Sequence, residues 1–311
     1  MDSGIRSDRL AIAESPTKEE IALIQAGLRQ FNLDETDGKF DYPGEEDPGL
    51  VIRLAVKNPG GGVVAGISTS SILGVMWLEV LWVAEAHRRR GIASWLILEA
   101  ERIAHEKGCV GAGTWTFDWQ GAEFYPQIGF HLNGVYDGYP LGITEHVLSK
   151  KLPSSPEIRE AVARRAARNE QDGFSFVTEP TKDEMRVVGK GLSDYCVAHA
   201  GAEMENPGIV VQLVLRDDAG STVGGFLAST TIRIMALEEI WIDARYRGQG
   251  YGKELVAEAE RIARAHGCIA VQGCCLSFQS PGFFRRLGYE SFGVVDAYMD
   301  GYSDDLLIKR L

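Results

Sequence analysis

The feature that most constrains this chain is that it repeats itself. Residues 49–152 lie over residues 208–311 without a gap. Along that register Met76 meets Met235, Trp82 meets Trp241 and Arg88 meets Arg247, and Glu99-Ala-Glu-Arg-Ile-Ala104 returns as Glu258-Ala-Glu-Arg-Ile-Ala263. Further on Gln120 meets Gln279, Phe124 meets Phe283, Gly129 meets Gly288 and Tyr139 meets Tyr298. Two copies at so long a period do not make a solenoid, whose units run to roughly 20–45 residues. They make two whole domains in tandem, and 311 residues allow each its own core.

Each copy spells the same elements in the same order. An alternating run (Leu10–Glu14; Phe174–Val177) precedes a Thr or Ser with Glu three places on, a capping signature for the helix that follows. An acidic, turn-rich connection comes next, Asp41-Tyr-Pro-Gly-Glu-Glu-Asp47 in the first copy and Glu203-Met-Glu-Asn-Pro207 in the second. Three strand candidates follow, 50–56, 63–70 and 76–83, then 209–215, 223–230 and 235–242. A long helix, a buried strand, a short helix over Phe124 or Phe283 and two closing strands complete the copy. The polar stretch between the copies reads as a linker or helix over 156–172, with an N-terminal domain over 1–155 and a C-terminal domain over 173–311.

Between the third strand and the long helix lies a glycine-rich turn, Arg245-Tyr-Arg-Gly-Gln-Gly-Tyr-Gly252, matched by Arg88-Arg-Arg-Gly-Ile-Ala93. A turn that ends a strand and opens a helix leaves backbone N–H groups unpaired at the positive end of the helix dipole, which is a cradle for phosphate. Gly248, Gly250 and Gly252 clear side chains from the approach, and the arginines add charge.

Composition narrows the partners. A net charge of -12 argues against a general binder of nucleic acid or anionic membrane, and 45% hydrophobic with 24% charged residues reads as a soluble globular chain. No apolar run approaches the roughly 20 residues of a membrane span, so the expectation is cytoplasmic. The five cysteines show no Cys-x-x-Cys pairing and read as buried hydrophobes, with no metal expected.

The Arg-x-x-Gly-x-Gly/Ala turn, followed by Phe124-Tyr-Pro-Gln-Ile-Gly-Phe130 and Phe283-Phe-Arg-Arg-Leu-Gly-Tyr289, resembles the GNAT superfamily of N-acetyltransferases, and does so twice over nearly the whole chain. The resemblance implies an α+β fold: two tandem GNAT-like domains, each a mixed, splayed, mostly antiparallel sheet flanked by helices. It implies acetyl-CoA as cosubstrate, held by Trp82, Val83, Arg88, Arg89, Arg90, Gly91 and Ala93 in one copy and by Trp241, Ile242, Arg247, Gly248, Gln249, Gly250 and Gly252 in the other. Direct transfer to an amine needs a base to take a proton and an acid at the leaving sulfur. Tyr125 matches the tyrosine this family often uses as the acid, whereas Phe284 cannot donate; Glu79 and Glu238 are the base candidates. Their other readings are a core aromatic for Tyr125 and solvent-facing strand residues for the glutamates. On a strand neighbours face opposite ways, so only one of Glu238 and Glu239 is expected in a cleft.

Trp119 is expected to line an acceptor pocket and Trp115 to fill the core. Glu45 and Glu46, in the acidic connection, would draw in a cationic amine such as an amino sugar, a polyamine or a basic antibiotic. The favoured expectation is an N-acetyltransferase, monomer or homodimer, with the first copy active and the second structural or regulatory. A non-catalytic acyl-CoA sensor and a fold reused for other chemistry on a natural product are the alternatives.

Overall fold

The structure, a computed structural model, describes residues 10–40, 50–201 and 208–311. The first repeat runs β1 (Ala11–Glu14), α1 (Lys18–Glu35), β2 (Arg53–Lys57), β3 (Val63–Ile72), β4 (Val75–Val83), α2 (Ile92–Glu106), β5 (Gly111–Phe117), a 3-10 helix (Ala122–Ile128), β6 (His131–Tyr136) and β7 (Glu145–Lys151). Helix α3 (Ser155–Gln171) joins the repeats. The second repeat runs β8 (Ser175–Val177), α4 (Lys182–Ala200), β9 (Val210–Arg216), β10 (Thr222–Thr231), β11 (Ile234–Ile242), α5 (Tyr251–Ala265), β12 (Ala270–Leu276), α6 (Pro281–Arg286), β13 (Glu290–Val295) and β14 (Asp304–Arg310). The helices and strands expected from the sequence are present, with boundaries moved by a few residues, and the two acidic connections lie outside the described residues.

The chain forms two compact units, and they cross the boundaries drawn from the sequence. The opening strand and helix of each repeat belong to the other repeat's sheet. In one unit β1 pairs antiparallel with β9 and α1 packs on β10 and β11, with strand order β1-β9-β10-β11-β12-β14. In the other, β8 pairs antiparallel with β2 and α4 packs on β3 and β4, with order β6-β7-β5-β4-β3-β2-β8. This is a reciprocal exchange of one supersecondary element within a single chain.

The same chemistry holds each exchanged helix. Thr17 and Glu20 form a capping box, and Thr181 and Glu184 repeat it. Each capping glutamate then pairs with a cation on the host sheet: Glu20 with Arg216 of β9 at 2.7 Å, Glu184 with Lys57 of β2 at 2.5 Å. Arg216 holds the Glu20 carboxyl down at about 2, and Lys57 does the same for Glu184. Ile24 and Val188, both 0% exposed, seat the helices against Gly225 and Gly66, where a Cβ would collide with them. Gly27 and Gly191 have no room for a Cβ because Trp241 and Trp82 lie against them. A helix-interior glycine costs roughly 1 kcal/mol against alanine, and here it admits an indole.

On the opposite face of each sheet sits the long helix. Helix α2 buries Trp95, Leu96, Ala100 and Ala104, and α5 buries Leu255, Val256, Ala259 and Ala263. Beneath each runs an ion pair, buried for Glu101 with Lys150 at 2.5 Å and half-buried for Glu260 with Lys309 at 2.7 Å. A buried pair left half-formed is costly, so it fixes helix against strand.

Candidate active site

Each sheet has a parallel junction beside antiparallel neighbours, and that junction opens. Strands β4 and β5 pair in parallel from Val75↔Gly111 to Leu78↔Thr114 and no further. Beyond that point β4 continues along β3 as far as Val83, while β5 continues along β7 as far as Phe117. The strands therefore splay, and the gap is a cleft of about 740 Å³. In the other unit β11 and β12 part in the same way after Leu237↔Gly273, leaving about 220 Å³.

At each fork the antiparallel neighbour slips register. The slip on β3 falls between Ser68 and Thr69, which face Val80 and Leu78, so Glu79 is the extra residue of a β-bulge. Glu238 is the extra residue opposite Leu227 and Ala228. Both carboxylates are exposed and accept from a serine on the adjacent strand at 2.5 Å, Ser70 for Glu79 and Ser229 for Glu238. The bulge also suspends the alternation expected of a strand. Glu238 and Glu239 both line the second cleft, which corrects the expectation that only one of them would. Glu239, which takes the place of Val80, accepts from Gln25 of α1 at 3.1 Å, and burial raises its carboxyl above the ordinary range.

Tyr125 stands on the wall of the first cleft, 6% exposed, packed edge-on against Phe124 and Phe130. Burial pushes its phenol up to about 12, partly opposed by the hydroxyl of Thr114. It is thus a core aromatic and a cleft residue at once. Phe284 occupies the matching position in the second cleft with nearly the same packing against Phe283 and Tyr289.

The glycine loops share one backbone. Arg89 (φ 61) and Gly248 (φ 75) are left-handed, as are Gly91 (φ 82) and Gly250 (φ 96), which cap the long helices without a side-chain bond. A left-handed arginine costs roughly 1–2 kcal/mol where glycine costs nothing, so the first loop keeps its shape at the expense of strain. Arg88 donates to the Val83 carbonyl at 3.0 Å and lies over the Tyr195 ring; Arg247 donates to the Ile242 carbonyl at 2.8 Å and lies over Phe31. These two arginines tie loop, strand end and exchanged helix together. Arg245 is held by Asp243 at 2.8 Å. The main-chain fold of the loops suits a phosphate: helix N-termini with bare glycine caps. Trp82, Val83, Arg88, Arg89, Gly91 and Ala93 border the first cleft, whereas of the second set Trp241, Ile242 and Arg247 border theirs.

The exchanged helices form the remaining wall. Leu192 and Tyr195 of α4 line the first cleft beside Trp115 and Trp119. Trp119 stacks on Phe117 at 5.5 Å and on His199 at 5.2 Å, and its carbonyl accepts from Tyr195. In the second unit Phe278 stands where Trp119 does, and buried Phe40 packs against it edge-on at 5.5 Å. Of the cysteines, Cys109, Cys196, Cys268 and Cys275 are buried, while Cys274 is exposed on the second cleft. Tyr195, Leu192 and His199 escape sequence reasoning because they lie in the other repeat; the signal that could have found them is the glycine shared by both opening helices. Glu45 and Glu46 lie outside the described residues.

The model of the acetyltransferase (GNAT) family matches residues 21–130 and again 158–289. A blasticidin-S acetyltransferase of Streptomyces morookaense is 36% identical over 95 residues, 30% of this chain and 70% of its own length. An acetyltransferase of Agrobacterium fabrum is 30% identical over 122 residues, 39% of this chain and 89% of its own. A crystal structure of an acetyltransferase from Bacillus cereus aligns over 43% of this chain and 96% of its own, with 29% identity and a TM-score of 0.41. With both repeats matched, the chain belongs to the acetyltransferase (GNAT) family, as a tandem N-acetyltransferase.

Proposed function

We propose that the cleft of the first repeat is the transfer site, that it takes acetyl-CoA, and that its acceptor is a small cationic amine. The observation that carries this is the convergence of three things on one 740 Å³ space: a buried phenol, a carboxylate on a bulge and a bare helix N-terminus. When bound, the thioester supplies an activated acetyl group; the protein supplies position and proton traffic. Gly91 and Ala93 receive the pyrophosphate on loop amides, and Trp82 and Val83 flank the pantetheine arm in the fork. Glu79 takes a proton from the incoming ammonium through water, since a protonated amine has no lone pair to attack with. The C–N bond would form as the C–S bond breaks, with Tyr125 giving its hydrogen to the departing sulfur and the second proton of the amine nitrogen returning to the phenolate through water. A phenol at about 12 holds its proton at any working pH, and the desolvation that raises it also raises a thiolate formed beside it.

The aromatic wall of Trp115, Trp119 and Tyr195 already holds one cation, with Arg88 over the Tyr195 ring, and an aromatic face offers a cation roughly 0.5–2 kcal/mol. A basic antibiotic is the acceptor class that the resemblance to the blasticidin-S enzyme supports. The second cleft, with Phe284 and less than a third of the volume, is read as structural or regulatory. The test is incubation with acetyl-CoA and a panel containing blasticidin S, polyamines and amino sugars, following thiol release and product mass. A gain of one acetyl group supports the reading. Saturable binding without thiol release would instead make the protein an acyl-CoA binder.

A further inference from the structure

We propose that Arg165, on the helix joining the repeats, is a pyrophosphate ligand of the first cleft, supplied from outside the repeat that forms it. This rests on the acetyl-CoA reading above and adds to it a residue that neither repeat contains. Helix α3 is pinned along α2 within one unit. At one end Ser155 Oγ meets His105 Nδ1 at 3.1 Å and Arg159 pairs with Glu106 at 3.3 Å, and Ile158 is 1% exposed. At the other end Arg165 reaches the N-terminus of α2. A Cβ built on Gly91 would fall 2.5 Å from its Nη1 and 3.4 Å from its Cζ.

That placement is unfavourable without an anion. The N-terminus of a helix carries about half a positive charge, so a guanidinium there sits at the wrong pole. Arg88, Arg89 and Arg90 crowd the same turn. Of the other arginines of α3, Arg159 pairs with Glu106 and Arg164 with Glu160 at 3.0 Å, whereas among the described residues Arg165 and Arg168 make no ion pair, and of these two it is Arg165 that lies against Gly91. A dianionic group on the Gly91 amides would give its planar fork two oxygens at once. The second loop lacks the whole arrangement. A Cβ on Gly250 would meet nothing within 4 Å, and Arg245 is spent on Asp243, whose place in the first repeat is held by Ala84.

The test is calorimetry and steady-state kinetics on Arg165→Ala and Arg165→Lys in the full chain, with acetyl-CoA and with S-acetylpantetheine, which has no phosphate. Loss of a charge-assisted fork should weaken acetyl-CoA binding about ten- to a hundredfold, leave kcat at saturation near wild type and leave turnover of S-acetylpantetheine unchanged. Arg165→Lys should fall between the two, because it keeps charge without the fork. Equal affinity in wild type and Arg165→Ala, tighter binding in Arg165→Ala, or equal losses with both thioesters would each overturn the assignment. Failure of the wild type itself to bind acetyl-CoA would remove the cofactor reading along with it, so the two failures are told apart by the wild-type titration.

Discussion

The two clefts share a scaffold and differ in what faces the empty space. The fork after Leu78 and after Leu237, the bulged glutamate, the left-handed loop and the glycine under a tryptophan are common to both. Tyr125 against Phe284, Trp119 against Phe278 with Phe40 packed on it, and Ala84 against Asp243 are not. The first group is shared by both folds, and the proposed chemistry rests on the second. A duplicated domain can keep its backbone devices under the demand for stability while one set of cleft-facing side chains drifts.

The comparison breaks most readily at the loops. Gly91→Glu places a carboxylate where the pyrophosphate would lie and should abolish turnover, by more than about a hundredfold, while Gly250→Glu should leave it within about twofold. Both glycines are left-handed, so the backbone strain is shared, but a Cβ at 91 also meets Arg165 at 2.5 Å whereas one at 250 meets nothing within 4 Å. Melting curves of both variants are therefore needed to separate local misfolding from loss of the cofactor site; equal losses of turnover in folded variants would assign both clefts to the reaction. Next in size, Tyr125→Phe should lower kcat about a hundredfold at unchanged acetyl-CoA affinity. Adding Phe284→Tyr to that variant should restore nothing, and recovery would show the second cleft to be only one hydroxyl from competence. Glu79→Gln should cost about tenfold in kcat, less because an exposed carboxylate working through water is partly replaced by solvent, and Glu238→Gln should be silent.

The smallest effect should be symmetric. Glu20 and Glu184 titrate at about 2 in the folded chain against an ordinary 4.5. A lowered folded pKa means stability that is present above 4.5 and lost as pH falls toward 2. Arg216→Ala and Lys57→Ala should each flatten part of the acid limb in melting curves taken from pH 5 to pH 3. An unchanged slope in both would show that these pairs do not hold the exchanged helices.

Much of this was legible in the sequence because it is local. Capping boxes, period-2 runs and the glycine turn reside in short windows, the duplication shows as an ungapped register, and the places of Tyr125 and Glu79 on the first cleft follow from that frame. The exchange was not legible. A capped amphipathic helix advertises that it has an apolar face and says nothing of which sheet will cover it, and the Glu20 to Arg216 pair spans 196 residues of chain. The bulge escaped for a related reason: Leu237-Glu-Glu-Ile240 has the composition of an ordinary strand, and the slip is set by its neighbour. Arg165 sits in a helix whose polar surface reads as a spacer, and only the packing of α3 along α2 brings it to the loop.

The exchange also sets a timetable for synthesis. Elements β2 to β8 with α2 to α4 are all translated by residue 200, so the first fork and its wall can assemble while the rest of the chain is still on the ribosome. Strand β1 and helix α1 emerge first and find their partner last, since β9 begins at Val210. They wait as an unpaired edge and an uncovered apolar face through most of translation, the stage at which such segments are captured by chaperones or by another copy. A released chain truncated after residue 200 should therefore protect β3 and β4 from hydrogen exchange while β1 exchanges freely, and protection of β1 in it would refute this order.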